Sequence, residues 1–152
     1  MRVEAELSEL LTGLKCTNVI RFGDLSWRFE FEGQFTLDAR CAWRIISNGR
    51  VALGHEDQGQ WYGLPAPVDG VTAAMQLLSG DSARKITIHM ESGDMYLEFD
   101  SGTRLEVANY SSGYEGWECF TKSGLDVIGI GGGEIATCST GPGIKYPKVQ
   151  TD

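Results

Sequence analysis

The residues that could do chemistry in this 152-residue chain are few and scattered. His55-Glu56-Asp57 sets an imidazole beside two carboxylates, the donors that a metal ion or a general acid–base pair would use. Adjacent residues of an extended chain point in opposite directions, no second ligand motif lies nearby, and His89 is the only other histidine. The triplet therefore reads as a solvated loop, with neither metal nor cofactor expected. Cys16, Cys41, Cys119 and Cys138 form no C-x-x-C pair, which leaves no zinc knuckle or redox motif. Each lies in an apolar run and reads as a buried free thiol. A dyad of Cys41, Cys119 or Cys138 with His89 would need a thiol outside the core, and no G-x-S-x-G elbow offers a serine instead. No catalytic residue is predicted.

The glycine run Gly129 to Gly133 could cradle a phosphate only if it followed a strand and opened a helix. Glu134, Ile135 and Ala136 look instead like another short strand, so the run reads as a tight, bulged β turn. Two aromatic clusters remain. Tyr110, Tyr114 and Trp117 lie among Glu115 and Glu118, and Trp61 and Tyr62 lie with Leu64 and Pro65 in a long loop. Aromatic side chains on loops beside charges are what interface anchors look like. The predicted partner-binding residues are Trp61, Tyr62, Tyr114, Glu115, Trp117 and Glu118.

The elements that must hold these residues follow from periodicity. Val3, Leu7, Leu10, Leu11 and Leu14 predict one amphipathic helix, and Val68, Val71, Met75 and Leu78 a second, with Asp69 in its first turn. Between Cys16 and Ala39 the period is two. A two-residue loop at Gly23-Asp24 would set Phe22 against Leu25, Ile20 against Trp27 and Cys16 against Phe31 on the core face. Asn48-Gly49 breaks the apolar run Cys41 to Leu53 into a hairpin central in the sheet. The segment His55 to Pro67 reads as a long loop.

From Lys85 to Phe120 a meander is predicted. A loop at Ser92-Gly93 opposes Met90 to Met95 and Ile88 to Leu97. A three-residue loop, Asp100 to Gly102, opposes Phe99 to Thr103, Leu97 to Leu105 and Met95 to Val107. The outer face then carries His89, Tyr96 and Glu106 together, an alternative pocket for a small molecule or hydrolytic chemistry. Trp117 to Thr121, Leu125 to Ile130 and Ile135 to Cys138 continue the meander. The fold class expected is mainly β (α+β): an antiparallel meander of about ten strands forming a bent roll, two layers or a partly closed barrel, with two short helices. Residues 1–139 form one domain and 140–152 a loosely ordered tail.

The charge of −8 repels phosphate backbones and anionic lipid, so nucleic acid and membrane are not expected partners. The N-terminus carries charges where a signal peptide needs apolar residues, and no run approaches the roughly 18 apolar residues of a membrane span, which points to the cytoplasm.

GDMYLEFDSGTRLEVANY, then YEGWECF, then GGGEIA, resembles small uncharacterised bacterial domains with the pattern G-x-L-x-L-x-F-x-x-G-x-x-L-x-V, Y-E-x-W and a Gly-Gly turn. The likeness runs from Gly93 to Ala136. Members of that group look like immunity-type proteins of toxin loci, which implies a non-enzymatic binding role against a basic toxin. The expected function is an acidic protein-binding module. The alternatives are a small-molecule binder or hydrolase on the His89 face, and a structural or oligomer-forming module.

Overall fold

The computed structural model of the chain describes residues 2–139 and 148–151. Its elements in order are α1 (Arg2–Leu11), β1 (Cys16–Arg21), β2 (Trp27–Phe31), β3 (Phe35–Ala39), β4 (Ala42–Ser47), β5 (Arg50–Gly54), α2 (Gly70–Leu78), β6 (Ala83–Ile88), β7 (Met95–Phe99), β8 (Arg104–Ala108), β9 (Trp117–Phe120), β10 (Leu125–Gly129), β11 (Ile135–Ser139) and β12 (Lys148–Thr151). Among the described residues they make two antiparallel sheets, β1-β2-β3-β9-β10-β11-β12 and β5-β4-β8-β7-β6. Neither closes into a barrel, so the two-layer form of the expected fold is the one adopted.

Alternation builds the core between the layers. Trp27, Phe29 and Phe31 of β2, Phe35, Leu37 and Ala39 of β3, and Trp117 and Cys119 of β9 are buried from one side. Trp43 and Ile45 of β4, Met95, Leu97 and Phe99 of β7, and Leu105 and Val107 of β8 meet them from the other. Along β2, Trp27 and Phe29 pack edge-on against Trp43, while Phe31 stacks on Phe99 two strands away. β2 therefore crosses the strands of the second sheet obliquely, because Phe99 lies two strands over and four residues along from the level of Trp43. α1 lies along β6 and α2 against β1. The Asp69 carboxylate caps α2 by accepting the Thr72 N–H at 3.2 Å.

Two predicted registers hold. Ser47 faces Arg50 across Asn48-Gly49, both with positive φ as a tight hairpin of this kind requires. Met95 faces Val107 and Leu97 faces Leu105, and on the outer side Tyr96 faces Glu106 and Glu98 faces Arg104. Four expectations are corrected. The β1–β2 turn takes three residues, Gly23 to Leu25, with the Phe22 N–H bonded to Ser26 O at 2.7 Å. This pairs Val19 with Phe29 and Arg21 with Trp27, and a bulge near Thr17 restores Cys16 opposite Phe31. Phe22 and Leu25, expected in the core, are 52% and 64% exposed. The β6–β7 turn takes four residues, Met90 to Gly93, because His89 N–H bonds Asp94 O. Ile88 then faces Met95; the shift by two keeps every side chain on its face and leaves only Met90 outside, 73% exposed. Finally, β5 is an edge strand, and β9 leaves the meander to pair with β3 in the other sheet.

Of the tail expected from residue 140, only β12 is described, paired with β11; residues 140–147 and 152 lie outside the described residues. Among the described residues no helix is long and apolar enough to cross a membrane.

Candidate functional site

The chain passes between the sheets at Arg40-Cys41 and at Asn109–Gly116, and these two crossings run side by side, joined by Arg40 N–H to Gly116 O at 2.7 Å. Ser111 shapes the longer one, its Oγ accepting from the N–H groups of Gly113 (3.1 Å) and Tyr114 (2.8 Å). The β1–β2 turn stands opposite. Between turn and crossings lies a groove of about 630 Å³. Its walls are Phe22, Leu25, Tyr110 and Tyr114, all exposed, and its floor is Cys41, Asn109 and Gly116, all buried.

The floor is tightly built. Asn109 donates its N–H to Asp94 Oδ1 and its Nδ2 to Ile130 O, each at 2.8 Å, while its Oδ1 is buried without a hydrogen-bond partner among the described residues. A Cβ at position 116 would sit 2.6 Å from that oxygen, so a larger residue there would have to push the Asn109 side chain aside. Burial, helped by the Asp94 charge, pushes the Cys41 thiol up to about 12, so it stays protonated and unreactive at neutral pH. At the rim, Asp24 pairs with Arg21 at 2.6 Å, and Glu115 lies 3.8 Å from Arg40, which also reaches Glu118 at 3.7 Å.

A second hollow, of about 490 Å³, opens next to the groove and is lined by Trp43, Arg44, His55, Glu56, Asp57, Asp94, Tyr96 and Glu106. His55 Nδ1 accepts the Trp43 N–H at 3.3 Å, and Asp57 accepts from Gly54 N–H (2.8 Å) and from the Tyr62 hydroxyl (2.9 Å). That last bond ties the long loop to the triplet His55-Glu56-Asp57. Asp24 and Leu25 border a further hollow with His55, Glu56 and Tyr62, so all these loops share one end of the sandwich. Among the described residues no group of three or more His, Cys, Asp or Glu is placed to hold a metal ion.

A family model of proteins of unknown function matches residues 14–139. The chain belongs to the DUF6188 family. The DUF6188 match spans β1 to β11, takes in the groove and the hollow whole, and contains the stretch Gly93 to Ala136 on which the sequence resemblance rested. Searches of curated proteins and of solved structures found no match.

In this DUF6188 chain the predicted binding residues divide. Tyr114, 83% exposed, and Glu115 line the groove; Tyr62 and Trp61 are exposed on the long loop. Trp117 is corrected: it is 0% exposed, its Nε1–H bonded to Gly93 O at 2.8 Å. It stands on the inner face of β9, pressed so close to Gly129 that a Cβ there would lie 2.4 Å from the indole. Glu118, on the outer face, is half-buried, and burial raises its carboxyl above the usual range. The alternative trio shares the outer face, but only two of its members line one cavity. Tyr96 and Glu106 line the hollow, but His89 is exposed beside it, its ring 4.6 Å from that of Tyr96. Glu106 accepts from Arg44 Nε and Arg104 Nε, each at 2.8 Å. Burial alone would raise its carboxyl; the two arginines outweigh that and hold it below its usual value, as an ionised, fully paired group.

Sequence reasoning missed Phe22, Leu25, Cys41, Asn109 and Asp94. The available signal was a pair of large apolar residues bracketing Gly23-Asp24, which alternation alone assigns to the core.

Proposed function

We propose that this protein is a non-enzymatic binding module that grips a basic protein partner at the loop end of the sandwich. The observation that carries this reading is the convergence of Phe22, Leu25, Tyr110 and Tyr114, exposed around one groove beside a carboxylate-lined hollow. A monomer rarely leaves such side chains contiguous and exposed without a partner for them. Aromatic anchors in a concave patch supply most of an interface's affinity, and a chain of net charge −8 draws a basic partner in. Neutralisation of a basic toxin, the immunity-type role implied by the resemblance of Gly93 to Ala136, is one concrete form of this reading. The test is capture from a lysate of the source cells by the wild type and by a Tyr110→Ser/Tyr114→Ser variant. A basic protein held by the wild type alone, and released as salt rises, is the expected result; retention equal on both overturns the reading.

A second reading, binding of a small molecule, is favoured by the Asn109 side-chain carbonyl, buried at the groove floor without a hydrogen-bond partner among the described residues. It predicts a compound with an N–H or O–H donor and an apolar body, detected as a thermal upshift that Tyr114→Ser abolishes.

A further inference from the structure

We infer that the groove and the hollow are read together by one short partner segment, which puts a large apolar side chain in the groove and an arginine or lysine in the hollow. This deepens the binding reading above and rests on it.

The two cavities share a wall one strand pair thick. Cys41 and Asn109 line the groove, while their chain neighbours Ala42 and Ala108, paired with each other across β4 and β8, line the hollow. Asp94 crosses that wall: it lines the hollow, yet holds the Asn109 N–H at 2.8 Å and bears electrostatically on Cys41. Successive residues here alternate in direction, so a segment that reaches both cavities passes over the end of this strand pair at Cys41 and Asn109.

The charges divide the labour. In the groove Asp24 pairs with Arg21, and Glu115 shares Arg40 with Glu118 and Asp38, so what the groove adds is apolar surface. In the hollow Glu106 is matched by Arg44 and Arg104. Glu56, Asp57 and Asp94 make no ion pair with lysine or arginine among the described residues. With Arg44, the hollow's own arginine, taken by Glu106, three carboxylates without a lysine or arginine ion pair among the described residues call for a cationic side chain, and the wall places it beside an apolar anchor.

The test is selection from a displayed random dodecapeptide library, run in parallel on the wild type and on Tyr110→Ser/Tyr114→Ser. Enriched peptides are then synthesised and titrated calorimetrically against the wild type and Glu56→Gln, a change at an exposed side chain that leaves the fold intact. The inference expects wild-type-specific peptides carrying an aromatic or large aliphatic residue within about three positions of arginine or lysine. Changing that basic residue to glutamine should weaken binding about tenfold to the wild type and measurably less to Glu56→Gln, the mark of direct coupling. Apolar peptides without a basic residue, or a basic residue whose loss costs the same in both proteins, overturn the inference and leave the aromatic binding surface standing. Enrichment equal on the tyrosine variant overturns both. No enrichment on either overturns the inference, and lysate capture then decides the wider reading separately.

Discussion

Ser8 and Ile86 are bonded twice: the Ser8 hydroxyl donates to the Ile86 carbonyl at 3.0 Å and accepts the Ile86 N–H at 2.9 Å. On either side Glu4 accepts the Ile88 N–H at 2.7 Å, and Thr12 donates to the Arg84 carbonyl at 3.1 Å. Four helical residues rise about 6 Å and two strand residues about 6.7 Å, so steps of four on α1 keep pace with steps of two on β6. The helix thus stands where a further strand would pair, and an edge that could template association is closed by side chains.

Ser8→Ala is expected to lower stability by about 1–3 kcal/mol, because both main-chain groups of Ile86 lose their partner. Combining it with Glu4→Ala and Thr12→Ala should add self-association through β6. Urea unfolding measures the first and sedimentation velocity the second; a single variant with wild-type midpoint would show that water replaces the hydroxyl at no cost.

Glycines 131 and 133 are packing requirements, unlike Gly102. A Cβ at 133 would lie 2.0 Å from the Glu91 carbonyl oxygen, and one at 131 would lie 2.3 Å from the Gly113 nitrogen. Gly102 has a φ of 92° but open space around it. Gly133→Ala and Gly131→Ala should each cost more than about 3 kcal/mol, against roughly 1 for Gly102→Ala, by thermal or urea unfolding. Equal losses at 102 and 133, both at positive φ, would mean that backbone conformation alone governs those two sites.

Acid should act on two carboxylates in opposite senses. Glu106 titrates below its usual 4.5, so its contribution is present above the unfolded value and is lost as pH falls through the folded one. Glu118 is raised, first by burial, so its ionised form costs stability at neutral pH and protonation relieves that cost as pH falls. Glu118→Gln should therefore be more stable than wild type at about pH 7, with the difference fading toward pH 4, whereas Glu106→Gln should be less stable at pH 7 and converge in acid. Unfolding free energies from pH 7 to about pH 3 check both signs; a Glu118→Gln deficit at pH 7 would mean that its contact with Arg40 prevails over burial.

Tyr114 and Trp117 separate surface from core within three residues. Tyr114→Ser should leave stability within about 0.5 kcal/mol, while Trp117→Ala should cost about 3–5 through the cavity and the lost bond to Gly93. Calorimetry on the two variants decides it, and a large loss for Tyr114→Ser would disqualify that residue as an anchor free to meet a partner.

The registers legible in the sequence were those with a local determinant. Asn48-Gly49 fixes one hairpin; at Asp100 to Gly102, a two-residue loop would have buried Arg104, which selects the longer one. Where the turn carries no such penalty, loop length is open: Phe22 and Leu25 suit a core pattern as well as a surface one, and only the extra residue in the turn puts them outside. Trp117 was misassigned because its face depends on β9 pairing with β3, a contact between distant parts of the chain. The groove was invisible for the same reason. Its walls come from residues 22–25 and 110–114 and its floor from Cys41 and Asn109, brought together by the crossings rather than by any motif.

That β3–β9 contact also sets an order of events during folding. The five-stranded sheet is one continuous stretch, 42–108, whereas the seven-stranded sheet joins β1–β3 to β9–β12 from either side of it, across partners about 80 residues apart. Closing a loop of that length costs about 4 kcal/mol beyond a constant term, unless the intervening chain has already compacted. The middle of the chain is thus expected to fold first and serve as the template on which its two ends meet. Leu97→Ala, inside the template, should slow refolding; Leu37→Ala, on the seam opposite Cys119, should chiefly hasten unfolding.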